Sequence, residues 1–433
     1  MSVAQPKCIQ PKNGLWRGRR TMRRTRVARL IKSLGFIGAL CIAVVFGAVI
    51  VPIDALLASA AQSPTKRSSD LDMYFPGTED LAADEMRVVS CGTGMPAQRK
   101  SQAATCWLVE LGNGDKFLFD IGTGSTANLG SLNIPYDYLN KVFVSHLHSD
   151  HIGDMDALWI GGWTGGRQGA LHVWGPSGSK PETGTKYAMD HLKKAYTWDY
   201  TGRLGVIPTG GGGLEVTEFD YTKINQVVYE KNGVKIYSWP AIHCIDGAVS
   251  YRLEWNGLKF VFGGDTFPNK WYVEQTKGAD LAIHEAFMTP EQMIEKYKFS
   301  PQAALNVATA VHTPPAAFGK VMAAVKPRMA VAYHFFNDFD TRYAINDGIR
   351  STYDGPLTLA TDLLVWNITK DDMRLREVIV DPDSWPAPPA SKPGEPDKSA
   401  KTPFSDFINS GRLDVAKAFA KEIAEFKKKY GLK

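Results

Sequence analysis

Cysteine is scarce in this chain, five in 433 residues. Cys8 and Cys41 lie before or within an apolar run, which leaves Cys91, Cys106 and Cys244. Cys91 and Cys106 fall on neighbouring predicted strands, but an odd set of three is no disulfide framework. A chain of this length can bury a large core without one. Internal repeats are also missing at sequence level, which excludes a stacked-repeat architecture. Acidic residues are absent from the first 33 positions, which hold ten Lys or Arg. The remainder therefore carries 40 basic against 45 acidic residues, a net of −5, although the whole chain is +5. A body of that sign lacks the electrostatic footprint of a nucleic-acid binder.

Straight after the basic stretch, Leu34–Ile53 runs for 20 residues without a charge. That is long enough to cross a bilayer, with the basic flank on the cytoplasmic side. Ala58-Ser59-Ala60 then reads as a cleavage site for an export signal. Cleavage is preferred over an uncleaved anchor, with Met22 as an alternative start that gives a compact Met-Arg-Arg opening. Either way the body is expected outside the cytoplasm: periplasmic, secreted, or held by the membrane through residues 34–53.

The expected organisation is a basic region 1–33, the apolar segment 34–53, a polar tether 54–85, a main domain 86–382, a Pro-rich linker 383–403 and an amphipathic helix 404–433. Within the main domain, Met86–Cys91, Thr105–Leu111, Lys116–Ile121, Val227–Pro240, Ser250–Phe262, Met329–Tyr333 and Met373–Val380 read as strands. Gly112-Asn-Gly114 turns a hairpin. Thr209 and Gly210–Gly213 read as a flexible loop. In the tail, Leu413, Ala416, Phe419, Ile423 and Phe426 recur at helical spacing. That face is expected to dock on the main domain, with contact to a second subunit as the alternative.

Histidine is also sparse, nine in all, yet three stand within Ser145-His-Leu-His-Ser-Asp-His-Ile-Gly-Asp154. In an extended segment, residues two apart point the same way, so His146 and His148 can grip one ion. Asp150 and His151 follow where the chain should bend into a helix and can face a second. Imidazole nitrogen and carboxylate oxygen are ligands that zinc accepts.

This His-x-His-x-Asp-His motif, preceded by Lys116-Phe-Leu-Phe-Asp-Ile-Gly122 and a strand at Lys141–Ser145, resembles the metallo-β-lactamase superfamily over Met86–Pro382. The resemblance implies an α/β (α+β) fold, a four-layer αββα sandwich with the metals at one edge, here flanked by the N-terminal segment and the C-terminal helix. Asp120 and Gly122 would support the metal loop from beneath. Three further strand-end residues complete a family-ordered ligand set. His146, His148 and His243 would hold one zinc, Asp150, His151 and His334 a second, and Asp265 would bridge them. Mn or Fe could occupy the same donors. The two ions would hold a nucleophilic hydroxide that Asp150 orients.

Asp280-Leu-Ala-Ile-His-Glu-Ala-Phe287 resembles the His-Glu-Ala-Thr segment of ribonuclease Z-like proteins, and His312-Thr313 their His-Ser/Thr motif. Cys91-Gly-Thr-Gly-Met-Pro96 resembles their first glycine turn. On that likeness His312 is the general acid and Glu285 its partner, while His284 is structural. Pro314-Pro315 departs from the family's helix opening, and the long basic arm that captures tRNA is missing. The expectation is therefore an exported dinuclear zinc hydrolase of a phosphoric or sulfuric ester, like the phosphodiesterase and arylsulfatase members of this branch. Its substrate would be a small molecule rather than nucleic acid. The alternatives are a lactone or other carbonyl-ester hydrolase, a tRNA 3′-end endonuclease, and a non-catalytic, membrane-tethered binding module. Asp265 speaks against β-lactamases that share the histidine motif, which lack the bridging aspartate.

Overall fold

The computed structural model describes residues 72–432. The basic stretch and the apolar run Leu34–Ile53 lie outside the described residues. Among the described residues, no helix is long and apolar enough to cross a membrane.

Two mixed sheets face each other. The first takes β1 (Met73–Tyr74), β2 (Met86–Gly92), β3 (Cys106–Leu111), β4 (Lys116–Phe119), β5 (Lys141–Phe143), β6 (Leu171–Pro176) and β7 (Leu214–Phe219). The second takes β8 (Gln226–Lys231), β9 (Val234–Pro240), β10 (Val249–Trp255), β11 (Leu258–Phe262), β12 (Leu281–Glu285), β13 (Met329–Tyr333) and β14 (Leu357–Leu359). The chain then returns to the first sheet as β15 (Leu364–Ile368) and β16 (Met373–Val378), giving the order β1-β16-β15-β2-β3-β4-β5-β6-β7 against β14-β13-β12-β11-β10-β9-β8.

The period of two in each strand sorts side chains between layers. In β3, Trp107, Val109 and Leu111 face the core between the sheets, while Cys106 and Leu108 face the helices outside. In β11, Leu258, Phe260 and Phe262 join that central core, and Val261 faces the helices on the other flank. Strands buried on both faces explain why these segments read as nearly unbroken apolar runs. The result is four layers, αββα. Full burial of a ring such as Trp107 or Phe260 contributes on the order of 2–3 kcal/mol.

Several expectations change. Val227–Pro240 is two strands, because Asn232 and Gly233 both take positive φ, 53° and 76°, as a two-residue hairpin turn requires. Asn256-Gly257 divides Ser250–Phe262 into β10 and β11 in the same way. Inside the expected tether, Met73–Tyr74 pairs parallel with β16, and Tyr74 is buried as a hydrogen-bond partner of Arg87. Gly211 and Gly212 are buried in a short helical turn rather than a flexible loop. The segment after Asp383 is a strap: the Ala390 amide donates to Asp137 and Ala387 is buried. The tail forms Asp406–Ser410 and Ala420–Tyr430, but residues 404–432 are exposed throughout, so its apolar face does not dock on the described domain. Cys91 and Cys106 are free, buried thiols.

Candidate metal centre

Strand direction assembles the site. β11, β12 and β13 run parallel, and β9 shares their direction through the antiparallel β10. Their carboxyl ends therefore lie along one edge, where open α/β sheets present functional groups. Asp265 follows β11, Glu285 ends β12, His334 follows β13 and His243 follows β9. From the facing sheet, β4 and β5 run parallel and deliver Asp120 and the histidine motif to the same edge.

The seven expected ligands converge as two clusters. Ligand atoms of His146, His148 and His243 lie within 4.8 Å of one another, as do those of Asp150, His151, Asp265 and His334. His148 Nδ1 stands 3.0 Å from His146 Nε2 and 3.2 Å from His243 Nε2. His151 Nε2 is 3.3 Å from Asp265 Oδ1, and His334 Nε2 is 3.0 Å from both Asp150 Oδ2 and Asp265 Oδ2. Neighbouring ligands around a tetrahedral ion with ~2.0–2.1 Å bonds sit about 3.3 Å apart, so the spacings suit zinc. Asp265 Oδ2 also lies 3.8 Å from His243 Nε2, which puts this carboxylate between the clusters. Asp150 Oδ1 is buried without a hydrogen-bond partner, and His151 Nε2 and Asp265 Oδ1, though 3.3 Å apart, make no aligned hydrogen bond. Orphaned polar atoms of this kind are costly unless something else binds them. A further set of Asp265, Glu285, His312 and His334 also converges, but its Glu285–His312 pair is engaged in its own hydrogen bond.

A second layer fixes the ligands. Asp120, in the left-handed region at φ 60°, accepts from the Ser145 amide and hydroxyl and contacts His151 Nδ1 at 2.6 Å. That bond leaves His151 Nε2 to face the second cluster. His243 Nδ1 lies 2.9 Å from the Val311 carbonyl, to which it donates, leaving Nε2 for the first cluster. Gly122 lies so close beneath the motif that a Cβ there would meet the Asp150 carbonyl at 2.0 Å.

Electrostatics separate the two clusters. Burial holds His146 well below the usual histidine range and lowers His148 and His243. They are neutral imidazoles, the form that binds metal. Burial also opposes charge on His151 and His334, but Asp265 and Asp150 outweigh it. His151 is held well above the ordinary range and His334 is pushed up to about 10. In return, Asp150 and Asp265 stay low despite their burial, because His151 and His334 face them. The second cluster is thus a charge-paired set in which cations are strongly favoured.

Beside it, His312 Nδ1 sits 2.7 Å from Glu285 Oε2, while Glu285 Oε1 accepts from the Thr266 amide. Phe287 stacks on His312, ring centroids 4.0 Å apart and planes 5° from parallel. A π-helical turn, Val307–Val311, supplies both the carbonyl that binds His243 and the approach to His312. Such turns often mark functional sites. His284 is no part of the site. It is fully buried, with Nδ1 on the Glu285 carbonyl and the ring edge-on to Tyr272.

Sequence reasoning missed three supports. Asp362 accepts from the Thr93 amide and hydroxyl, from the Ala103 amide and from Asn128, and the Thr93 carbonyl accepts from the His334 amide. The Val311 carbonyl and the Phe287 stack were also unforeseen. Only Phe287 left a mark in the sequence, as the aromatic residue that departs from His-Glu-Ala-Thr.

The family described as anti-Pycsar protein Apyc1 matches residues 86–164. Ribonuclease Z of Mycobacterium marinum is 28% identical over 203 residues, covering 46% of this chain and 70% of that protein. Ribonuclease Z of Ignicoccus hospitalis is 26% identical over 248 residues, covering 52% and 82%. The metallo-β-lactamase fold protein YhfI of Bacillus subtilis superposes with a TM-score of 0.50 at 18% identity, covering 66% of this chain and 100% of that one. The chain has the metallo-β-lactamase fold, and in sequence it is similar to proteins named ribonuclease Z.

Proposed function

We propose that this protein is a dinuclear zinc hydrolase of a phosphoric or sulfuric ester of a small molecule, acting outside the cytoplasm. The observation that carries the reading is the Asp265 carboxylate between two ligand clusters, with the His312–Glu285 pair beside it. His146, His148 and His243 would hold one ion and Asp150, His151 and His334 the other. Zinc bound there would bring a water's acidity to neutral pH and polarise the ester. Asp150, held as a carboxylate by His151 and His334, orients the attacking water. Glu285 fixes His312 by its Nδ1, so Nε2 is the nitrogen that hands a proton to the leaving oxygen. The location outside the cytoplasm rests on the basic stretch and the apolar run of the N-terminal region, and on Ala58-Ser59-Ala60. Loss of residues 1–60 from the protein recovered from its cells, read by intact mass, tests it.

Likeness to proteins named ribonuclease Z favours a second reading, cleavage at a tRNA 3′ end. Against it stand the acidic body and the missing basic arm. The test is the full-length, zinc-loaded protein against bis-p-nitrophenyl phosphate, p-nitrophenyl sulfate, nitrocefin, an acyl-lactone and a tRNA precursor. Turnover of a phosphate or sulfate ester that vanishes in His146→Ala supports the proposal. Turnover of the carbonyl substrates or of the tRNA alone overturns it.

A further inference from the structure

Two cavities flank the ligand clusters. One, of about 330 Å³, is walled by Met95, Phe287, Met293, Tyr297, Phe299 and Val307, and bordered by Asp150, Asp265, His312 and His334. The other, of about 240 Å³, meets His146, His148 and His243 and carries Glu182 and Asp246. His312 borders the first cavity and not the second. Neither cavity is lined by a lysine or an arginine.

We infer that the ester's leaving group is an uncharged aromatic alcohol seated in the cavity walled by Phe287, and that Phe287 determines this specificity. The inference rests on the ester-hydrolase reading above and deepens it. The side of the cleft where His312 can protonate an oxygen is the side where the leaving group must sit. That side offers rings and thioethers: Phe287 stacks on His312, and Tyr297 meets Phe299 edge to face at 6.0 Å. Rings and methionine sulfur favour a flat aromatic guest. The volume suits a single ring system rather than a polymer. An anionic substituent would find no lysine or arginine on the wall, and His334 is already paired with Asp150 and Asp265; burying an unpaired carboxylate or phosphate costs several kcal/mol. On the other side, Glu182 and Asp246 repel a second anion, which argues against an oligonucleotide running past His146, His148 and His243.

The reaction balances simply. Water's oxygen bonds to phosphorus or sulfur, and the bond from that atom to the aryl oxygen breaks. The proton of His312 leaves on the phenol, and the proton lost by water restores the acid.

The full-length, zinc-loaded protein is assayed with aryl phosphodiesters whose leaving phenols match in acidity, one neutral and one bearing a carboxylate. The neutral ester is expected to show kcat/KM at least about 10²-fold higher. Phe287→Leu raises its KM about 10-fold, and Phe299→Ala, at a rim residue 37% exposed, does so more mildly while keeping the fold. Calorimetry with phenylphosphonate and methylphosphonate gives a readout free of turnover, the phenyl compound binding at least about 10-fold tighter. Equal turnover of the two esters, or equal binding of the two phosphonates, overturns the inference even where ester hydrolysis stands. Preferential phenylphosphonate binding without any ester hydrolysis supports the pocket and overturns the hydrolase reading.

Discussion

His312 is held from two directions at once: its Nδ1 lies 2.7 Å from Glu285 Oε2, and its ring lies flat on Phe287. Glu285 cannot swing away, because its other oxygen accepts from the Thr266 amide at 2.7 Å. A ring fixed in position and tautomer is what a proton donor needs, and proton transfer of this kind contributes about 10²–10⁴-fold.

His312→Ala is therefore expected to lower kcat by about 10²–10⁴-fold with bound zinc unchanged. Glu285→Gln lowers it less. The double variant is little worse than His312→Ala, because the two act as one unit. Steady-state kinetics alongside zinc analysis by mass spectrometry decides this. A strictly multiplicative double variant contradicts it.

The clusters differ in what a single ligand removes. His148→Ala strips donors from the first cluster alone and is expected to leave about one zinc per chain instead of two. Asp265→Ala faces both clusters, so both ions weaken. Equilibrium dialysis at controlled free zinc measures the stoichiometries. Two tightly held ions in Asp265→Ala would show that this carboxylate does not bridge.

Gly122 couples the fold to the site. An alanine there would drive its Cβ to 2.0 Å from the Asp150 carbonyl, so the motif must shift. Gly122→Ala is expected to cost about 1–3 kcal/mol and to reduce zinc affinity. Chemical denaturation and zinc titration check the two effects together. Unchanged zinc affinity would mean that the loop is not positioned from beneath.

His284 gives a pH dependence apart from the metal ligands. Burial lowers it from 6.5 to about 4. The unfolded chain therefore binds a proton over that interval that the native state refuses. Stability should fall as pH drops from about 6.5 towards 4, by on the order of 3 kcal/mol in all. His284→Gln, although less stable at neutral pH, should flatten that slope. Denaturant midpoints at several pH values between 4 and 7 measure it.

Much of the site was legible because metal ligation constrains residue type and spacing together. His146, His148, Asp150 and His151 stand in one motif, and His243, Asp265 and His334 each close an apolar strand. The fold's four layers were legible through resemblance rather than periodicity. Strands such as β3 and β11 bury both faces and lose the alternation that marks a half-exposed strand. The two Asn-Gly turns were in plain view and were swallowed by the surrounding apolar runs. The Asp362 brace was hidden, because its partners, Thr93, Ala103 and Asn128, lie more than 200 residues away. The tail's periodicity predicts one helix over 404–433, whereas the chain forms two, Asp406–Ser410 and Ala420–Tyr430, with Leu413 between them; amphipathicity says only that one face is apolar, not what covers it.

The most direct test of the account compares wild type with His312→Ala across phosphodiesters whose leaving alcohols span a wide range of acidity, at fixed zinc occupancy. A leaving oxygen that receives a proton depends little on its own acidity. The wild type should therefore show a shallow dependence of log kcat/KM on leaving-group pKa. His312→Ala should show a steep one, with its largest losses on the least acidic alcohols. Equal losses across the whole series would show that His312 does not protonate the leaving group.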